Sequence, residues 1–324
     1  MPVKLASPVS KPQVVNATRS SKVDLWRQSY SLRMSRFDSQ VSSFLLSTRI
    51  PTSAALAAEL LMEIFGISDQ DIVEQVAHLS IGLDHFAQIV DGQIDGHREI
   101  ESVSYHAASL LLAECASVVG SIAGNSPMVW EGWRGHLQEA SSGDRSVQPL
   151  RGAEATGMMN CSPALNRKSA YMKIAADVCA EISNRRDLLG AVYLALDNLL
   201  MALELSDDLM DVFQDLNEGK ITIPIALTLE WSSTSDVSTH ETLLTSGVAS
   251  RVITIIVEYV QTARALLHNV GAESAYGTLG TVIRQIEEAR KYSDESIGRE
   301  ISGTQARSVM LEIQKRMPPM MVYN

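Results

Sequence analysis

The sequence is short of positive charge. Its 27 lysines and arginines are set against 38 aspartates and glutamates, a formal net charge of −11. No basic stripe is available to neutralise a nucleic-acid backbone, so nucleic acid is not an expected partner. An acidic protein that binds an anion must recruit metal ions or a few local cations. Cysteine is scarce too. Cys115, Cys161 and Cys179 have neither metal-ligand spacing nor a disulfide pattern. They fit buried thiols in a reducing compartment, and a cytoplasmic location is expected. Uninterrupted apolar runs are also missing. Leu188–Leu205 comes closest, and Asp197, Asn198 and Glu204 break it, so no stable membrane insertion is expected. Strand signals are few: Ile221-Thr222-Ile223-Pro224 suits a helix start better than a strand.

Met1–Lys22 contains four basic residues, no acid and no apolar core for a secretion signal. A disordered tail over residues 1–22 is expected, although an organelle targeting segment would share this composition. Beyond it, 45% hydrophobic content over a 324-residue chain is enough to bury a large core. Alanine, leucine, isoleucine and glutamate recur at spacings of three and four. Helices are predicted at Leu25–Leu46, Thr52–Phe65, Asp69–Val90, Ser102–Ile122, Trp130–Ser141, Asn166–Asn184, Leu188–Phe213, Ile223–Trp231, His240–Leu244, Ala249–Val270, Ala275–Ser293 and Ser302–Lys315. The connections are mostly short. The expected fold is therefore all-α, one antiparallel helical bundle over residues 23–324 around a central cavity. His85 reads as packed or half exposed, and Trp130 and Trp133 as surface or interface contacts.

What is present is carboxylate in pairs. Asp207, Asp208 and Asp211 close the nearly uncharged run from Leu188. In a helix Asp207 and Asp211 stand one turn apart on one face, and so do Asp91 and Asp95 at the end of the preceding apolar run Ile81–Val90. Clustered acids repel unless a cation is present. Oxygen-only donors suit a hard ion such as Mg²⁺, which keeps waters and bridges to phosphate. If the two helices face each other, Asp91, Asp95, Asp207, Asp208 and Asp211 surround one cluster of about three magnesium ions. Such a cluster turns a diphosphate into a leaving group and leaves an allylic cation in a dry cavity. Phe86, Ala87, Val90, Leu200 and Leu203, about one or two turns back from the acids, are expected to line that cavity.

The stretch Asp207-Asp208-x-x-Asp211, followed by Asp215-Leu216-Asn217-Glu218-Gly219-Lys220-Ile221-Thr222-Ile223-Pro224, resembles the second aspartate-rich motif and its sequel in the all-trans isoprenyl diphosphate synthases and related class I terpene synthases. Arg167-Lys168-Ser169-Ala170-Tyr171 resembles the family's diphosphate-binding Lys-Thr pair, and Ala107–Ser117 resembles the helix after its first motif, with Glu114 in place of aspartate. The similarity runs from about Arg49 to Leu229. It implies Asp91, Asp95, Asp207 and Asp211 as catalytic acids. Lys168, Lys220 and Arg98 are implied as ligands of the substrate diphosphate, and the protein as a homodimer with the apolar Ala107–Val119 face at the interface. The bulky ring of Phe86 implies a donor of ten to twenty carbons.

The departures narrow the function. Gly92 replaces the second aspartate of the first motif, which keeps its outer acids. Of the N-terminal basic segment that helps bind isopentenyl diphosphate only Thr48-Arg49-Ile50-Pro51 remains, and the following Arg-Arg pair is reduced to His97-Arg98. A second diphosphate has little to bind there. The implied activity is magnesium-dependent ionisation of an allylic prenyl diphosphate, with transfer of the prenyl cation to an acceptor other than isopentenyl diphosphate. Three alternatives stay open: a terpene cyclase acting on a C10–C20 diphosphate, a chain-elongating synthase, and a non-catalytic subunit of one. Aromatic content of 5% leans toward transfer, because a cyclase uses aromatic faces to steady cations.

Overall fold

Caps and breakers divide the chain where the sequence supplies them. The computed structural model describes residues 19–48, 50, 52–94, 102–147, 170–217, 222–231 and 240–318; Asp95, Arg98, Lys168 and Lys220 lie outside this set. Among the described residues all regular structure is helical. In order come α1 (Arg19–Met34), α2 (Ser39–Ser47), α3 (Thr52–Ile64), α4 (Gln70–Ile94), α5 (Ser102–Ala123), α6 (Pro127–Val147), α7 (Lys173–Ser183) and α8 (Leu189–Met210). Then follow α9 (Val212–Asn217), α10 (Ile223–Trp231), α11 (His240–Thr245), α12 (Val248–Asn269), α13 (Glu273–Asp294) and α14 (Gly303–Arg316).

Asp69 opens α4 by accepting hydrogen bonds from the backbone N–H groups of Asp71 and Ile72 at 3.0 and 3.2 Å. Ser302 and Gln305 open α14 with a reciprocal capping box. Each such cap is worth about 1 kcal/mol. Gly66 and Gly124, at φ 67° and 58°, turn the chain just after α3 and α5 in the left-handed region that a β-carbon disfavours.

Two apolar cores meet along α8. The first gathers α1–α7 and the start of α8, through Val192 and Leu196, with Leu188 just before it. The second gathers the rest of α8 with α10–α14, through Leu199, Met201, Ala202, Leu205 and Leu209. α12 supplies Val252, Ile253, Ile256, Val257 and Val260 to the second core, all buried and spaced by three and four. Each such side chain contributes about 1.5–3 kcal/mol by leaving water. α8 therefore passes through the middle of the bundle, which brings its carboxyl-terminal acids to the end of a buried helix.

Several sequence expectations are amended. Leu25–Leu46 is two helices, because Asp38 accepts from the N–H groups of Gln40 and Val41 and starts α2 afresh. α1 begins at Arg19, inside the segment read as a tail. α8 stops at Met210 rather than Phe213; Asp211 caps it, its N–H bonding to the carbonyl of Asp207. Trp133 is buried, not a surface contact. The Ala107–Val119 face assigned to a dimer interface is turned into the chain's own core, with Ala107, Leu111, Cys115, Val118 and Val119 buried. α5 and the stretch Arg186–Met210 have the length and hydropathy to cross a membrane, contrary to the expectation that no stretch has; half of the latter's most apolar window is buried within the bundle.

Candidate active site

α4 and α8 each have one face that ends in an aspartate. Along α4, Asp84, Gln88 and Asp91 follow one face at offsets of four and seven; along α8, Leu196, Leu200, Leu203 and Asp207 do the same. At 3.6 residues per turn each set stays within about 60° of arc. Against this face of α8 lies an open apolar cavity. α3 lines it with Ser53, Ala54, Leu56, Ala57 and Leu60, α8 with Leu196, Leu199, Leu200 and Leu203, and α13 with Thr278 and Leu279. Met172, just before α7, and Asp84 complete the described wall. The cavity face of α8 runs straight into Asp207, and that of α4 into Asp91.

The sequence-derived residues divide accordingly. Leu200 and Leu203 line the cavity. Phe86, Ala87 and Val90 are half-buried, packed against the first core, and are not among the described lining. Asp91, Asp207 and Asp208 are partly exposed, and Asp211 is exposed at the helix end. Among the described residues no three His, Cys, Asp or Glu side chains come together as a ready-made metal cage. The donor set still fits magnesium. That ion is usually held by one or two carboxylates and completed by waters and substrate phosphates, so a protein cage of three is not required.

Asp84 is the residue that sequence reading missed. It is 4% exposed. The Tyr171 hydroxyl donates to its Oδ1 at 3.2 Å and the Ser53 hydroxyl to its Oδ2 at 3.5 Å. Burial pushes this carboxyl up to about 6, against the two hydroxyl hydrogen bonds, which pull it down. Its signal in the sequence was position: it stands seven residues before Asp91, on the same helical face.

His85, next to it, faces the other way and is structural. Thr48 gives its only hydroxyl proton to the carbonyl of Leu45 at 2.7 Å, so it accepts from Nε2 of His85. Nδ1 shares a hydrogen bond with the Tyr30 hydroxyl at 3.1 Å. The imidazole ties α1 and the end of α2 to α4, which helps fix the rotation of α4 about its axis.

A second buried polar group joins α6, α7 and α8. Lys173 Nζ lies 2.9 Å from Asp197 Oδ1 and 3.7 Å from Glu139 Oε1. Asp177 takes hydrogen bonds from His136 Nε2, at 3.1 Å, and from the Tyr193 hydroxyl. Gly132 makes room for it, since a β-carbon there would sit 2.0 Å from Asp177 Oδ2. These contacts position α7, whose first turns follow the Lys168 segment.

No protein-family model and no curated protein matches the sequence. Solved structures do match. An octaprenyl pyrophosphate synthase from Helicobacter pylori aligns over 82% of this chain and 99% of its own, at 13% identity and a TM-score of 0.64. A polyprenyl synthase from Caulobacter crescentus CB15, complexed with calcium and isoprenyl diphosphate, aligns over 87% and 96%, at 16% identity and 0.64. A geranylgeranyl pyrophosphate synthase from Corynebacterium glutamicum, complexed with isoprenyl diphosphate and magnesium, aligns over 85% and 96%, at 16% identity and 0.55. The chain has the all-α fold of the isoprenyl diphosphate synthases.

Proposed function

We propose that this protein is a magnesium-dependent enzyme that ionises an allylic prenyl diphosphate and passes the prenyl cation to an acceptor other than isopentenyl diphosphate. The observation that carries the proposal is the continuity of one helical face of α8, from the leucines of a central apolar cavity into Asp207. A substrate with a hydrocarbon tail and an anionic head matches that surface end to end. The tail leaves water among Leu196, Leu199, Leu200 and Leu203, and the head meets the acids.

Asp91, Asp95, Asp207, Asp208 and Asp211 are the residues that would hold divalent ions. Such ions, when bound, supply the charge neutralisation that lets pyrophosphate depart. Lys168, Lys220 and Arg98 are the proposed partners of the diphosphate oxygens. The wall excludes water, so the cation formed when the C1–O bond breaks survives long enough to react. The reduction of the N-terminal basic segment to Thr48-Arg49-Ile50-Pro51, and of the Arg-Arg pair to His97-Arg98, supports an acceptor that is not a second diphosphate. The protein acts in this reading as a homodimer. A terpene synthase, in which the acceptor is a double bond of the same chain, is the second reading; the carboxyl of Asp84 at the hydrocarbon end of the cavity favours it.

The test is incubation of the protein with Mg²⁺ and geranyl, farnesyl or geranylgeranyl diphosphate, each with and without isopentenyl diphosphate, following pyrophosphate and extracted products. Pyrophosphate release without a requirement for isopentenyl diphosphate supports the reading. Product formed only with isopentenyl diphosphate replaces it with chain elongation, and silence with every substrate refutes it.

A further inference from the structure

A carboxyl group in the wall of a hydrocarbon cavity needs a reason. Burying Asp84 costs stability, and among the described residues its partners are two hydroxyls rather than a cation. Two of its roughly four acceptor positions are taken by Tyr171 and Ser53. Tyr171 comes from the turn before α7 and Ser53 from the first turn of α3, so three separate elements converge to hold this one group at the cavity surface. It stands seven residues before Asp91 on the same face of α4, about 10 Å along the helix axis. It therefore faces the hydrocarbon part of a chain whose head lies at the aspartates.

We infer that Asp84 is the base that ends the reaction, removing a proton from the hydrocarbon cation held in the cavity. This rests on the ionisation chemistry proposed above. The step balances as follows. C1 of the allylic chain bonds to one carbon of a double bond lying in the cavity, and the C1–O electron pair leaves with pyrophosphate. The positive charge passes to the other carbon of that double bond. Asp84 takes a hydrogen from the adjacent carbon as H⁺, and the C–H electron pair becomes a new double bond. The carboxylic acid then returns its proton to solvent when the product leaves. Any carboxylate is basic enough to deprotonate a carbocation, so position matters rather than strength. Held by Tyr171 and Ser53, the carboxylate selects which hydrogen is lost and outcompetes capture by water. Asp84 is thus a determinant of product identity.

The experiment compares the wild type with Asp84→Asn and Asp84→Glu, using farnesyl and geranylgeranyl diphosphate with Mg²⁺. Hydrocarbons and alcohols are quantified per pyrophosphate released, and circular dichroism checks folding. In Asp84→Asn the hydrocarbon share per pyrophosphate falls about tenfold or more, with water-captured alcohol in its place. Asp84→Glu, which keeps a base but moves it, restores hydrocarbon with a changed double-bond position. Unchanged product ratios in both variants overturn the inference while leaving the ionisation reading intact. A prenyl ester on Asp84, seen as a mass gain of the intact protein, overturns it as well. Absence of pyrophosphate from the wild type overturns the ionisation reading and this one with it.

Discussion

Replacing Asp84 by asparagine is expected to stabilise the protein at neutral and alkaline pH, and the size follows from its burial. The folded carboxyl titrates at about 6, against an ordinary value of 3.8. Below 3.8 both folded and unfolded chains hold the proton and the site costs nothing. Between the two values the folded chain holds more protons than the unfolded one, so stability falls as pH rises. Above about 6 the loss is complete and amounts to up to about 3 kcal/mol, at about 1.4 kcal/mol per pH unit. Asparagine keeps the volume and can accept from Tyr171, but it does not ionise. Urea unfolding of both proteins from about pH 4 to about pH 8 isolates the site, because every other titration cancels in the difference. The variant should match the wild type at the acid end and exceed it by about 1–3 kcal/mol at the alkaline end. Parallel profiles, or a variant less stable at pH 8, would refute the reasoning.

Other perturbations probe the scaffold and the acids. Lys173→Met leaves Asp197 partly buried without its closest cation and should cost about 3 kcal/mol of stability in denaturant unfolding. Gly132→Ala drives a methyl group into the Asp177 carboxylate and should cost about 1–3 kcal/mol, visible as a lowered melting temperature. Asp207→Ala and Asp91→Ala should each lower pyrophosphate release by about two to three orders of magnitude with little change in the circular dichroism spectrum. Full activity in either would sink the role of paired acids at the ends of α4 and α8.

The fold was legible because its signals are local and repeated. Alanine and leucine at spacings of three and four over α8 and α12 write a helix whatever it packs on. The split between α1 and α2 was missed although Asp38-Ser39-Gln40 spells a helix start, because the apolar periodicity on both sides outweighed one cap. The acids were proposed for the same local reason, as i, i+4 pairs closing apolar runs; Asp95 of the first pair lies outside the described residues. The cavity wall on α4 was not: Phe86, Ala87 and Val90 were chosen as the nearest apolar residues, whereas the face that Asp91 shares runs back through Gln88 to Asp84. The Lys173–Asp197 and His136–Asp177–Tyr193 contacts join residues far apart in sequence, and no local pattern announces such partners. Their only trace was Lys173 and Asp177, charges one turn apart in the buried first half of α7.

The most direct test of the central claim is pyrophosphate release from farnesyl diphosphate by the purified protein with Mg²⁺, beside the same reaction after chelation with EDTA and with Asp207→Ala. Release by the wild type that disappears on chelation and in the variant is the predicted result. Release that survives both, or its absence with every allylic diphosphate offered, would contradict the account.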